Sequence, residues 1–482
     1  MMNTNPMNKT EIKKIKKRVL KTETVVVDQL TKQQKNRTFK FNESYKIFLN
    51  QSKTEREAVR QIVKAAEDKD FINIDTLLTS NQNTSKKVYK IFQNRCVALA
   101  VLGKTSLISG ANIIASHIDS PRLDLKQNPI YEDLSLGLMK THYYGGIRKY
   151  HWLAVPLALH GTIITSDNKT VDICIGESPD DPVFTITDLL PHLSGKTQNS
   201  KKISEVFEGE KLNLVVGSIP LGNDKETDRF KLGVLNLLYE EYGIVEEDFI
   251  SAEIEAVPSQ KARDIGFDRS LTGSYGQDDR VCAYTSLEAI LDIKQSADKT
   301  AIAMFFDKEE IGSDGSSGAK SNFIEDFICD LLCIGNKKSD HRTLRKTLIN
   351  SSCLSADVNA AMDPDFKNVH EALNAAKIGF GICMTKFTGV AGKAGSSDAS
   401  AEFTGKIRQI FNKNRIVWQT GELGKIDEGG GGTIAKFIAR YGMNVLDCGP
   451  ALLSMHSPFE ISSKADVYMT YLAYKAFYAD NV

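Results

Sequence analysis

Apolar residues recur at helical spacing through FNESYKIFLNQSKTEREAVRQIVKAAEDKDF, where Tyr45, Phe48, Leu49, Val59, Ile62 and Ala66 fall on shared faces. The pattern then changes to strands. KVYKIFQNRCVALAVLG carries a β-rich run, and GANIIASHIDSP reads as a short apolar strand that ends in His and Asp. From 133 to 257, short β-like runs such as HWLAVPLALHGTIIT, TVDICIG and KLNLVVGSIPLG are divided by turn and charged segments. From 258 onward, helical patterns (RVCAYTSLEAILDIKQ, GGTIAKFIARYGM) alternate with strand patterns (TAIAMFFD, SCLSADVN, AKIGFGICM, NVLDCG). That alternation predicts an α/β fold, a sheet packed between helices. Its halves, 37–132 and 258–482, flank a separate β-rich module at 133–257. Residues 1–36 are polar and Lys-rich and are expected to form a loosely ordered extension.

At 482 residues the chain is too long for one simple core. Lys+Arg and Asp+Glu both number 61, so net charge offers no reason to expect a nucleic-acid partner or an acidic membrane surface. The eight cysteines include no CxxC pair, and Cys329 and Cys333 share one face of a predicted helix. They read as buried, reduced thiols of a reducing compartment. No apolar run approaches the ~18 residues of a membrane span, and the N-terminus has no apolar signal core. The expected location is the cytoplasm.

One strand raises a chemical question. Thr300–Phe306 is apolar on both faces, as a buried central strand would be, yet it runs into FFDKEEIGS with two adjacent carboxylates. In α/β sheets the site lies beyond the carboxyl ends of the strands. Five segments offer acids or imidazoles at such ends: His117 and Asp119 in IIASHIDSP, Asp278 and Asp279 in GSYGQDDRVCA, Glu309 and Glu310, Asp357 in CLSADVNAA, and His456 in ALLSMHSPFE. Singly, each has an ordinary structural explanation, such as an N-cap or a solvated pair. Jointly, they form the ligand set of a pair of Zn²⁺, Mn²⁺ or Co²⁺ ions. Such ions lie roughly 3.5–4 Å apart and share a water. One carboxylate must stay off the metals to take a proton from that water, which gives the Glu pair two separable roles.

With these residues assembled, the chain from about residue 38 resembles the M18 family of metallo-aminopeptidases, which includes aspartyl aminopeptidase and vacuolar aminopeptidase I. The segments ASHIDSP, DDRVCAYTSL, DKEEIGS, SADVNAAMDP, GGGGTIA and MHSPFE stand in family order. The resemblance implies that Asp278 bridges two ions, that His117 and Asp357 complete one, and that Glu310 and His456 complete the other. Glu309 is then the general base and Asp119 orients His117. It also implies a cis peptide between Asp278 and Asp279. Many members carry Asn where this chain has Asp279.

The family fold is a mixed-sheet α/β peptidase domain interrupted by a β-rich dimerisation domain, with dimers assembling to a tetrahedral dodecamer. Peptides are the implied substrates. Lys386, in CMTKFTGVAGKAGSSDA, is the expected basic residue of the substrate loop. His160, in LALHG, is expected to reach a neighbouring subunit's site. Gly431, within Gly429–Gly432, is expected to shape the pocket through backbone N–H groups. That glycine run lacks the Lys of a phosphate-binding loop. A deacylase using the same ligands and an inactive scaffold of the same fold are the alternatives.

Overall fold

The computed structural model describes residues 8–80, 85–294, 297–334 and 340–480. Its centre is a nine-stranded mixed sheet. Four adjacent strands, Thr300–Phe306, Ala111–His117, Ser352–Ser355 and Asn444–Gly449, run parallel in that order. Cys96–Val101 flanks them on one side and Ile382–Thr385 on the other, both antiparallel. Alternation within each strand divides the core in two. Ile114, Phe305, Leu354 and Leu446 pack on one face against the helices Lys32–Gln51, Glu55–Glu67, Gln277–Leu291 and Lys464–Ala479. Ile113, Met304, Cys353 and Val445 pack on the other against Phe323–Ile334 and His341–Ile349. Burial on both faces is why these strands are apolar at nearly every position. Their carboxyl ends therefore meet along one edge, where His117, Glu309, Asp357 and His456 follow.

A second sheet has six antiparallel strands taken from residues 122 to 258. It begins with Arg122–Asp133, so residue 133 falls at the tip of its first hairpin. It has its own core around Trp152, Leu157, Ile163 and Leu214. A five-stranded sheet that includes Leu271–Ser274, Glu460–Ser463 and Ala451–Leu453 supports the site from beneath.

The N-terminal stretch is more ordered than its composition implied. Residues 1–7 lie outside the described residues. Lys9–Val19 is a helix that buries none of its side chains and starts with a reciprocal Asn8–Glu11 cap. Val26 is fully buried, and its N–H donates to the Gly379 carbonyl (2.8 Å). The next helix starts at Lys32, capped by Thr31 and Gln34. Two capping boxes and one anchoring valine outweigh the Lys-rich composition here. Cys96, Cys282, Cys353, Cys383 and Cys448 are buried as expected, but Cys329 is half-buried and Cys174 and Cys333 are exposed.

Candidate active site

His117 is the last residue of its strand and is buried. Its Nε2 lies 3.2 Å from Asp278 Oδ1. The other Asp278 oxygen lies 3.2 Å from His456 Nε2, which is also 3.4 Å from Glu310 Oε2. Asp278 thus stands between the two imidazoles, where a bridging carboxylate would stand. The Asp278–Asp279 peptide is cis, and both residues depart from helical φ/ψ although they lie within the first turn of Gln277–Leu291.

The Glu pair is not at the strand end itself. The strand stops at Phe306, Asp307 and Lys308 intervene, and Glu309–Ile311 forms a 3₁₀ turn behind Lys308 in the left-handed region (φ 65°). Asp307 is structural: its fully buried carboxylate accepts from Arg95 Nε (2.8 Å) and Ser317 Oγ (2.7 Å). The turn directs Glu310 at His456 while Glu309 faces the same cavity.

Asp119 does more than orient an imidazole. Its Oδ1 lies 3.2 Å from His117 Nδ1 and accepts the Glu309 N–H (3.1 Å). Its Oδ2 accepts the Glu310 N–H (3.1 Å) and the Tyr144 hydroxyl (2.8 Å). One buried carboxylate thereby fixes the His117 ring and the turn that carries both glutamates.

At this site two of the three groupings found among the described residues lie within coordination reach: His117 with Asp278 and Glu310, and His117 with Asp279 and Asp357; the third, Glu57 with His160 and Cys174, lies outside the cavity. In each, the donor atoms all lie within 4.8 Å of one another. Asp279 enters the second grouping although the family resemblance assigned it no metal role. Its Oδ2 accepts the His117 backbone N–H (3.4 Å).

The electrostatics suit a site for cations. Burial and the neighbouring Asp278 push the Glu310 carboxyl up, and burial and Asp279 do the same to Asp357. Burial alone would raise Asp278 as well, but the hydrogen bonds to His117 and His456 hold it below the usual carboxylate range. Glu310 Oε1 is buried with no hydrogen-bond partner. A crowd of like charges with an unused donor atom and two imidazoles is a set that divalent cations would complete. Burial, reinforced by Asp119 and Asp278 and opposed by His117, pushes Glu309 up to about 7.

The ligands open onto a cavity of about 260 Å³. His117, Asp278, Glu309, Glu310, Asp357 and His456 line one side, and the Gly429–Gly432 run, Gly431 included, lines another. Lys386 does not line it; its Nζ pairs with Asp398 (2.9 Å), and the lysines on the cavity wall are Lys393 and Lys425. Lys393 Nζ reaches the same Asp398 carboxylate (3.2 Å), so the two lysines share one partner on a loop with positive φ at Ala391 and Lys393. His160 is also outside the cavity. It is buried on Leu157–Ile164, with Nδ1 2.8 Å from Glu57 and Nε2 3.2 Å from Glu177.

Glu460 was missed by the sequence reading. Its Oε2 accepts the N–H groups of Gln277 (2.6 Å) and Asp278 (3.1 Å), and its Oε1 accepts that of His456 (2.8 Å). Its position four residues after His456 in MHSPFE was the available signal.

A family profile described as aminopeptidase I zinc metalloprotease (M18) matches residues 48–478. A protein of Borrelia garinii subsp. bavariensis, described as a probable M18 family aminopeptidase 1, is 49% identical over 453 residues, covering 94% of this chain and 98% of its own. The crystal structure of an M18-family aminopeptidase from Thermotoga maritima superposes with a TM-score of 0.91 at 45% identity, covering 95% of this chain and 99% of that one. Aminopeptidase I from Clostridium acetobutylicum gives a TM-score of 0.89 at 46% identity, over 96% and 100% of the respective chains. A match across nearly the whole chain, with a site rich in metal-ligand residues at the strand ends, makes this chain a member of the M18 family of zinc metallo-aminopeptidases.

Proposed function

We propose that the cavity removes single N-terminal residues from peptides with the help of two divalent ions, zinc being the metal of the family description. Asp278 would bridge the ions, His117 and Asp357 would hold one, and Glu310 and His456 the other. When bound, the pair supplies an acidified water and an electrophile for the scissile carbonyl. Glu309 takes the water's proton at its carboxylate and returns it to the leaving amine. Its raised pKa suits a group that must accept and then release a proton near neutral pH. The observation that carries this reading is that Glu309 lines the cavity beside these residues, while its neighbour Glu310 is the one turned to His456 Nε2 (3.4 Å). Asp119 holds the base's backbone, and the Gly429–Gly432 run offers backbone room for the substrate's first residue.

Self-association through the inserted sheet fits the exposed Leu232, Leu237 and Tyr239 on the helix Arg229–Tyr242. A dodecamer built from such dimers is the assembly we propose. Among the described residues no helix is long and apolar enough to cross a membrane. Five buried cysteines that form no disulfide support a reducing, cytoplasmic setting.

The test is hydrolysis of matched aminoacyl and N-acetyl-aminoacyl chromogenic amides, with and without chelator. Cleavage confined to free-amine substrates and abolished by chelation is expected. Cleavage of the acetylated series instead would make the protein a deacylase.

A further inference from the structure

The inserted sheet reaches the catalytic centre at the end of its second strand. The strand Leu136–Tyr144 runs into the dipeptide Gly145–Gly146, and these three residues touch both ends of the site. Tyr144 is almost wholly buried and donates its hydroxyl to Asp119 Oδ2 (2.8 Å), the oxygen that also accepts the Glu310 N–H. The Tyr144 ring is braced from behind, because the Arg122 guanidinium lies 3.9 Å from its centroid. Arg122 is itself fixed by Glu55 (3.3 Å) and Glu255 (3.2 Å).

Two residues on, the Gly146 carbonyl lies 3.0 Å from His456 Nδ1. A carbonyl can only accept, so Nδ1 carries the proton and Nε2 is the nitrogen turned toward Asp278 and Glu310. Between them, Gly145 has φ +71°, and a Cβ there would come within 3.3 Å of Glu310 Cβ. A Cβ on Gly146 would stand 3.2 Å from His456 Nδ1. Both glycines are where the inserted backbone comes closest to the ligands.

We propose that Tyr144–Gly145–Gly146 is a positioning element of the active site, which makes the inserted sheet part of the catalytic apparatus as well as a surface for assembly. Through Tyr144 and Asp119 it sets the turn that carries Glu309. Through the Gly146 carbonyl it sets the ring of His456. This rests on the roles of Glu309 and His456 given above, and the two can fail separately.

The experiment uses the full chain loaded with zinc. Tyr144→Phe removes one hydroxyl and keeps the ring under Arg122. It is expected to lower kcat on an aminoacyl amide about tenfold, with KM within twofold, and with zinc content, assembly state and melting temperature close to wild type. A merely structural tyrosine would lower the melting temperature and leave kcat per folded chain unchanged, and that result would overturn the Tyr144 half. Gly146→Ala is read without turnover, as zinc affinity in a chelator competition. Weakening of about tenfold or more is expected, in the range for lost support of a metal-bound His, and wild-type affinity would overturn the His456 half. If the wild-type enzyme cleaves no aminoacyl amide, the function proposed above fails, while the Gly146→Ala affinity still decides whether this segment holds His456.

Discussion

At the residue scale the site is a set of carboxylates that hold one another's backbone. Glu460 is the clearest case. It bears no expected ligand role, yet it accepts three backbone N–H groups from the segments that carry Asp278 and His456. Glu460→Gln would turn an amide NH₂ toward at least one of those donors. Metal affinity or activity is expected to fall about 10- to 100-fold, as for other outer-shell partners, and isothermal titration with Zn²⁺ against wild type measures it. The expected ligands that line the cavity stood out in the sequence because titratable types follow, at once or within a few residues, runs with strand patterning. Tyr144 and Gly146 were not legible as supports, since their partners Asp119 and His456 lie elsewhere in the sequence, and the nearness of Glu460 to His456 did not reveal its reach to Gln277. Lys386 lies off the cavity wall and shares Asp398 with Lys393, a pairing across the loop that residue types alone do not reveal.

At the element scale the central strand Thr300–Phe306 needs its ends secured. Asp307, at its exit, and Glu55, at the start of the helix Glu55–Glu67, are both almost completely buried and share Arg95, at 2.8 and 2.6 Å. Arg95 also reaches Glu253 of the inserted sheet (2.8 Å). Arg95→Met would leave the buried Asp307 carboxylate without its counter-charge, while Glu55 keeps Arg122 (3.3 Å); an uncompensated buried charge is the case in which breaking an ion pair is most costly. A loss of about 3–5 kcal/mol is expected, read from urea unfolding of wild type and variant at neutral pH. The parallel strands could be read from hydrophobic pattern because burial on both faces leaves few polar positions. The 3₁₀ turn of the Glu pair could not, because it depends on a left-handed Lys308, a conformation that no Gly or Asn announced. The order in residues 9–36 was hidden for a similar reason. Its capping residues and Val26 are few among many lysines.

At the scale of the whole molecule, the two sheets meet across a seam of buried charge. His160 lies in it between Glu57 and Glu177, and Lys53 pairs with Glu177 (2.5 Å). Burial works against a charged imidazole, but Cys174 and the two carboxylates outweigh it and raise His160 to about 11. In the unfolded chain the ring titrates near ~6.5. A raised folded value means the protonated ring stabilises the fold fully below ~6.5, and this contribution is lost as pH rises toward 11. The urea midpoint of wild type should therefore fall between pH 6.5 and 10 by more than that of His160→Gln. Equal slopes would show that the ring is not charged in the fold. The change of texture at 133–257 revealed a separate β unit, but not that its first strand begins at Arg122 and carries charge into the seam.

The central claim is that the adjacent carboxylates divide the work, Glu310 holding metal and Glu309 moving the proton. The most direct test measures bound zinc and kcat together for Glu309→Gln and Glu310→Gln. Glu309→Gln should keep the wild-type zinc content and lose about 10²–10⁴ in kcat, the usual contribution of a general base. Glu310→Gln should lose bound zinc, with activity falling in proportion. Zinc lost from Glu309→Gln and retained in Glu310→Gln, or an active Glu309→Gln enzyme, would contradict the assignment.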